Sequence, residues 1–221
     1  MATLEIFRRV SGPYNLNTYF LVCTRTRETM VIDPGSPAGE LVDFINDHHL
    51  KPVRILHTHG HADQFFSTEA FKRVFPIPSC LHTADDLFFQ DPDVRKTTRK
   101  AVGLPSPYPA DIRLEHGDRI CFGDTQLTII HTPGHTPGSA CFLCEGHLFA
   151  GDTVFVGEVG RTDLPGGDLD QLMASIKRRI LTLNKQTIIL PGHYHTGDPI
   201  RTTIEKEMKE NIYITDFILD D

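Results

Sequence analysis

No run of about 18 apolar residues occurs anywhere in this chain, which excludes a membrane-spanning helix. The first ten residues, Met1 to Val10, alternate as a strand does and lack the apolar core of a secretory signal. Basic residues are scattered. Their densest stretch, Arg95, Lys96, Arg99 and Lys100, falls in a predicted helix beside Asp91 and Asp93 and reads as a solvated face. With a formal net charge of −7, the chain lacks the cationic surface through which proteins neutralise phosphates, so nucleic acid is not expected as a partner. Cysteine is sparse and odd in number, five in all, which fits a reducing cytoplasm rather than a disulfide framework. Cys141 and Cys144 form a C-x-x-C, but in a strand-like run positions three apart point to opposite faces, so they are not expected to form a redox or zinc site. No Ser/Gly linker, low-complexity tract or internal repeat divides the chain. One domain over residues 1–221 is expected, with a hydrophobic fraction of 39% to build its core.

Histidine, in contrast, is plentiful, with twelve residues. The stretch Thr58 to Gln64 reads T-H-G-H-A-D-Q and follows Val53 to His57, a short apolar run predicted as a buried strand. Two imidazoles two residues apart, with a carboxylate two residues further on, converge only if the chain turns sharply. Gly60 and Ala62 are the small residues expected to permit that turn. Neutral imidazole and carboxylate are ligands for Zn²⁺ and Fe²⁺. Three later segments set ligand-type side chains in Gly- or Pro-containing turns next to strand-like runs. They are His131 to Gly138 (H-T-P-G-H-T-P-G), Ala150 to Thr153 (A-G-D-T), and Leu190 to His193 (L-P-G-H).

Taken together, His59, His61, Asp63, His135, Asp152 and His193, in this order, resemble the ligand pattern of the metallo-β-lactamase superfamily. The phrases T-P-G-H-T-P-G-S and G-R-T-D-L-P-G-G (Gly160 to Gly167) resemble its compact glyoxalase II-like branch. The resemblance implies an α/β fold, a four-layer αβ/βα sandwich with metal at one edge between two sheets. It also implies that Asp33, in D-P-G, holds the histidine loop from beneath. One position departs from the pattern: Gln64 stands where the family has a further His directly after the Asp at position 63. Gln offers only a neutral oxygen, so one Zn²⁺ is expected to be held strongly and a second site, left with Asp63, Asp152 and His193, to be weak or empty.

Along the chain, strands are expected at Asn15 to Cys23 and Thr29 to Asp33. A helix follows over Pro37 to His49, with Ser36 as N-cap and Pro37 as its first residue; a parallel strand comes next. A helix over Phe65 to Phe75 is expected to turn Phe66, Ala70, Phe71 and Val74 inward. Thr83 to Gly103 reads as two helical pieces broken at Asp91-Pro92, followed by an extended Pro-rich link over Leu104 to Pro109. In similar proteins an insertion here, about residues 83–110, covers the substrate cleft, and Phe88, Phe89 and Tyr108 are candidate lid residues. Closely spaced strands then run to Ala150. A helix over Asp168 to Leu183, a last strand ending towards His193, a helix from about Pro199 to Lys209, and a tail packing on a neighbour or a second subunit of a homodimer complete the reading.

The resemblance implies hydrolysis of a small-molecule acyl thioester by metal-activated water. Asp63 is expected to orient the water or accept its proton. Arg161 is expected to contact substrate carboxylate or to pair with Asp163 or Asp168, and Tyr194 and His195 to face substrate. The added C-terminal helical region through which glyoxalase II enzymes bind glutathione is not expected to have a counterpart here, so the thiol carrier is left open. Two other readings stand beside this one. In a persulfide dioxygenase, a single Fe²⁺ would sit on His59, His135 and Asp152. In a degenerate member, metal would be bound without turnover.

Overall fold

The computed structural model describes residues 3–11, 15–102, 107–194 and 199–219. The turn expected over Val10 to Tyr14 and the link over Leu104 to Pro109 fall partly outside these residues, and His195 lies outside them. Two six-stranded sheets face each other. The first runs in the order β1 (Leu4–Ser11), β2 (Leu16–Cys23), β3 (Glu28–Ile32), β4 (Lys51–Leu56), β5 (Ser79–His82), β6 (Ile112–Leu114). The second runs from β7 (Arg119–Phe122) through β8 (Thr125–His131), β9 (Ala140–Cys144), β10 (His147–Gly151) and β11 (Ile188–Pro191) to β12 (Thr202–Thr203). As the intervening helix required, β3 and β4 pair in parallel, and β5 and β6 continue that direction.

Alternation along the strands builds the layers. In β2, Tyr19, Leu21 and Cys23 point between the sheets, where they meet Phe122, Leu127, Ile129, Phe142 and Phe149. Phe20 and Val22 point outward against helix α1 (Ala38–Asp47) and α2 (Thr68–Val74), through Leu41, Phe44, Ile45 and Phe71. On the far side, Ile130, Cys141, Leu148 and Ile189 pack against α5 (Leu169–Ser175), α6 (Ile204–Glu210) and the tail. The result is the four-layer α/β sandwich. Cys141 and Cys144 lie on opposite faces of β9, in different cores, and all five cysteines are free thiols. Among the described residues no helix is long and apolar enough to cross a membrane.

Several boundaries differ from expectation. Helix α1 starts at Ala38 with Pro37 at its cap and no side-chain cap bond. The carbonyl of Ser36 instead accepts the Ser67 hydroxyl. The helix expected from Phe65 begins only at Thr68, because Ala62 to Ser67 are spent in turns that carry the chain away from the ligand loop. Of its four expected inward residues only Phe71 is buried. Ala70 is exposed, as are Phe66 and Val74, at 66% and 53%. The expected helix over Asp168 to Leu183 is capped by the Asp168 carboxylate on the Gln171 N–H, then widens into a π-helical turn over Ile176–Ile180. The segment from Pro199 first adds the edge strand β12, and its helix starts at Ile204. The tail turns Ile214 and Ile218 into the same core as Ile176, Ile180 and Ile204, so its neighbour lies within the chain.

The helical pieces break where Asp91-Pro92 requires, into α3 (Thr83–Phe88) and α4 (Pro92–Val102). The three lid candidates separate. Phe89 is fully buried against Gly60 and the His61 ring, Phe88 is half-buried over Gly166 and Pro137, and Tyr108 is exposed.

Candidate metal centre

Each ligand-type side chain follows a strand: Asp33 after β3, His59 and His61 after β4, His135 after β8, Asp152 after β10, His193 after β11. Strand ends are where main-chain pairing stops and loops can aim side chains at a common point. Here they bring His59, His61 and His135 together, all buried, with their ligand nitrogens within 4.8 Å of one another. His135 Nε2 lies 3.3 Å from His59 Nε2 and 3.0 Å from His61 Nδ1. Asp152 Oδ2 stands 3.9 Å from His59 Nε2 and 3.6 Å from His135 Nε2.

The outer nitrogens fix the tautomers. Asp33 accepts the Thr58 N–H at 2.9 Å and its hydroxyl at 2.8 Å, so Thr58 Oγ1 is left to accept from His59 Nδ1 at 3.1 Å. His135 Nδ1 donates to the carbonyl of Arg161 at 2.7 Å. Both rings therefore direct the lone pair of Nε2 inward, and two lone pairs 3.3 Å apart repel unless a cation lies between them. Burial, reinforced by His135, holds His61 down to about 3, and burial drives His59 in the same direction. His59 and His61 are thus held as neutral donors. Three imidazoles and one carboxylate fit a borderline divalent ion such as Zn²⁺ or Fe²⁺.

The remaining candidates form a different arrangement. His193 Nδ1 pairs with Asp152 Oδ1 at 2.8 Å and Nε2 with Asp63 Oδ2 at 3.1 Å, an imidazole clasped between two carboxylates. Burial alone would lower its pKa. Asp152, and then Asp63, outweigh that and hold it up at about 11. The loop carrying His193 is stitched in place by Gly192 N–H on the Gly151 carbonyl and Asn17 N–H on the Gly192 carbonyl, each at 2.7 Å. Gln64 is fully buried, and neither of its side-chain polar atoms has a hydrogen-bond partner among the described residues.

Asp33 takes the role the resemblance implied, and burial raises its pKa to about 8 against the opposing Thr58 donors. Gly60 acts differently from expectation. Its backbone is not left-handed; its missing Cβ makes room for the Phe89 ring. The Arg161 side chain forms a bidentate pair with Asp163 at 2.6 and 2.7 Å on the surface, while its carbonyl holds His135. Tyr194 lies under the Arg8 guanidinium, 5.0 Å from ring centroid to Cζ.

Sequence reasoning missed Asp85. It is buried in α3 and accepts hydrogen bonds from Gly60 N–H at 2.7 Å, Thr136 Oγ1 at 2.7 Å and Gly138 N–H at 2.5 Å. Burial raises its carboxyl to about 6 against these donors. The faint signal was T-A-D-D directly after a strand, which reads as an ordinary acidic first turn of a helix.

The family model of the metallo-beta-lactamase superfamily matches residues 11–193, and that span contains every ligand just described. The chain belongs to the metallo-beta-lactamase superfamily. Among solved structures it is similar to the BLEG-1 B3 metallo-beta-lactamase, at 35% identity and TM-score 0.85, covering 96% of this chain and 100% of that one. It is also similar to TTHA1623 in a di-iron-bound form, at 33% identity and TM-score 0.79, covering 94% and 99%. Among curated proteins, the hydroxyacylglutathione hydrolase GloC of Haemophilus influenzae is 31% identical over 199 residues, covering 88% of this chain and 91% of that protein.

Proposed function

We propose that the chain hydrolyses a small-molecule acyl thioester at a centre holding one divalent ion strongly. The observation that carries this reading is the convergence of three buried imidazoles on one point beside Asp152. A divalent cation bound there would supply Lewis acidity and bring the pKa of water towards about 7. His59, His61 and His135 supply the nitrogens and Asp152 the charge. Asp63, its Oδ2 held by His193, accepts a proton from the water that attacks the thioester carbonyl. A carbon–oxygen bond forms, the carbon–sulfur bond breaks, and the thiol leaves as the carboxylic acid is released. GloC, by its name, acts on such a substrate. Tyr194 is assigned to face substrate, and the exposed fork of Arg161 to meet a substrate carboxylate in exchange for Asp163.

A second reading, oxygenation of a persulfide at a single iron, is favoured by Gln64, which supplies no imidazole for a second ion. The deciding experiment offers the purified protein S-lactoylglutathione, and glutathione persulfide under oxygen. Release of free thiol from the thioester supports the hydrolase. Oxygen uptake with the persulfide, and no thioester cleavage, overturns it.

A further inference from the structure

The two loops that carry the imidazoles come from opposite sheets, and on the main chain the Ala140 N–H joins them by donating to the Thr58 carbonyl at 2.8 Å. His59 and His61 follow β4 of the first sheet, whereas His135 follows β8 of the second. One buried side chain touches both. Asp85 Oδ2 takes the Gly60 N–H, between the first two imidazoles, and the Thr136 hydroxyl, beside the third. Its Oδ1 takes the Gly138 N–H, further along the same loop.

We propose that Asp85 is the positioning residue of the metal centre, a strut that sets the distance between the His59–His61 loop and the His135 loop. The surrounding residues suit this role. Thr136 Oγ1 donates to Asp85 and can therefore accept from Ser139 Oγ, 2.7 Å away. A Cβ at Gly138 would collide with the main-chain nitrogen and side chain of Asp85, so only glycine allows α3 to approach so closely. The strut itself is anchored behind. Asp86 accepts the Ala110 N–H at 2.8 Å and the Arg113 Nε–H at 2.7 Å, tying α3 to β6. Phe89, one turn on, packs on Gly60 and the His61 ring. The start of the inserted helical segment is thus part of the metal support. Partners of this kind outside the ligand set commonly change metal affinity about 10- to 100-fold when removed.

The inference concerns metal binding and holds whichever substrate is cleaved. Its test uses Asp85→Asn, which keeps the shape but turns an NH₂ group towards backbone or hydroxyl donors, and Thr136→Val, which removes one donor. Three quantities are measured on each: Co²⁺ affinity by competition with a chelator, the ligand-field spectrum of the Co²⁺ protein, and the melting temperature of the metal-free protein. The expected result is affinity about 10- to 100-fold weaker for Asp85→Asn, a smaller loss for Thr136→Val, and a shifted spectrum in both. Unchanged affinity and spectrum in folded variants, with only the melting temperature lowered, overturns the proposal. If Asp85→Asn does not fold, Thr136→Val decides by the same readouts.

Discussion

The two groups of ligand-type residues at this edge of the sandwich solve the problem of buried polarity in opposite ways. His59 and His135 aim Nε2 lone pairs at each other, 3.3 Å apart, and His61 Nδ1 lies 3.0 Å from His135 Nε2. They gain from a cation. Asp63, His193 and Asp152 already hold a cation of their own, the protonated imidazole lying between two carboxylates. A cation entering there would have to displace a proton. The comparison teaches that matching a ligand motif residue by residue does not make two equal sites; the hydrogen bonds around each group decide which one is prepared for metal.

The largest effect is expected on removing a member of the first group. His135→Ala should abolish strong metal binding and activity together, read by metal content and turnover, while retention of the ion would show that the imidazoles are not the main ligands. Asp63→Asn should keep the ion and lower kcat by about 10²- to 10⁴-fold, the usual range for a lost general base. Loss of the ion in that variant would place Asp63 among the strong ligands instead.

The two groups also predict opposite pH responses in chelator-stripped protein. His61 is held down to about 3, by burial and then by His135, so the unfolded chain takes up a proton first and stability falls as pH drops from about 6.5 towards 3. His193 is held up at about 11, so its contribution is complete below about 6.5 and is lost as pH rises through about 11. Denaturant midpoints across pH should show both slopes, with His193→Gln removing only the alkaline one. A smaller effect is expected at the surface. Arg161→Ala should raise KM about 10-fold for a carboxylate-bearing thioester, with kcat unchanged, as loss of one charged hydrogen bond would do. Equal KM values would leave Arg161 only its ion pair with Asp163.

Much of this was legible in the sequence because it is local. H-x-H after an apolar run, T-P-G-H and L-P-G-H each announce a ligand at a strand end, and strand alternation alone separated Cys141 from Cys144. What was not legible depends on distant partners. Asp85 looks like a solvated acid in a first helical turn until Gly60 and Gly138, 25 and 53 positions away, are found donating to it. Phe66 and Val74 fit an amphipathic helix on paper, but the turns over Ala62 to Ser67 delay and rotate that helix so that both face solvent. The pairing of His193 with two carboxylates likewise needed three loops in place at once.

The most direct measurement is the number of divalent ions per chain in protein purified without added metal, by elemental analysis, for the natural sequence and for Gln64→His. The account predicts one ion per natural chain and a second in the variant. Two ions bound equally tightly by the natural chain, or none, would contradict it.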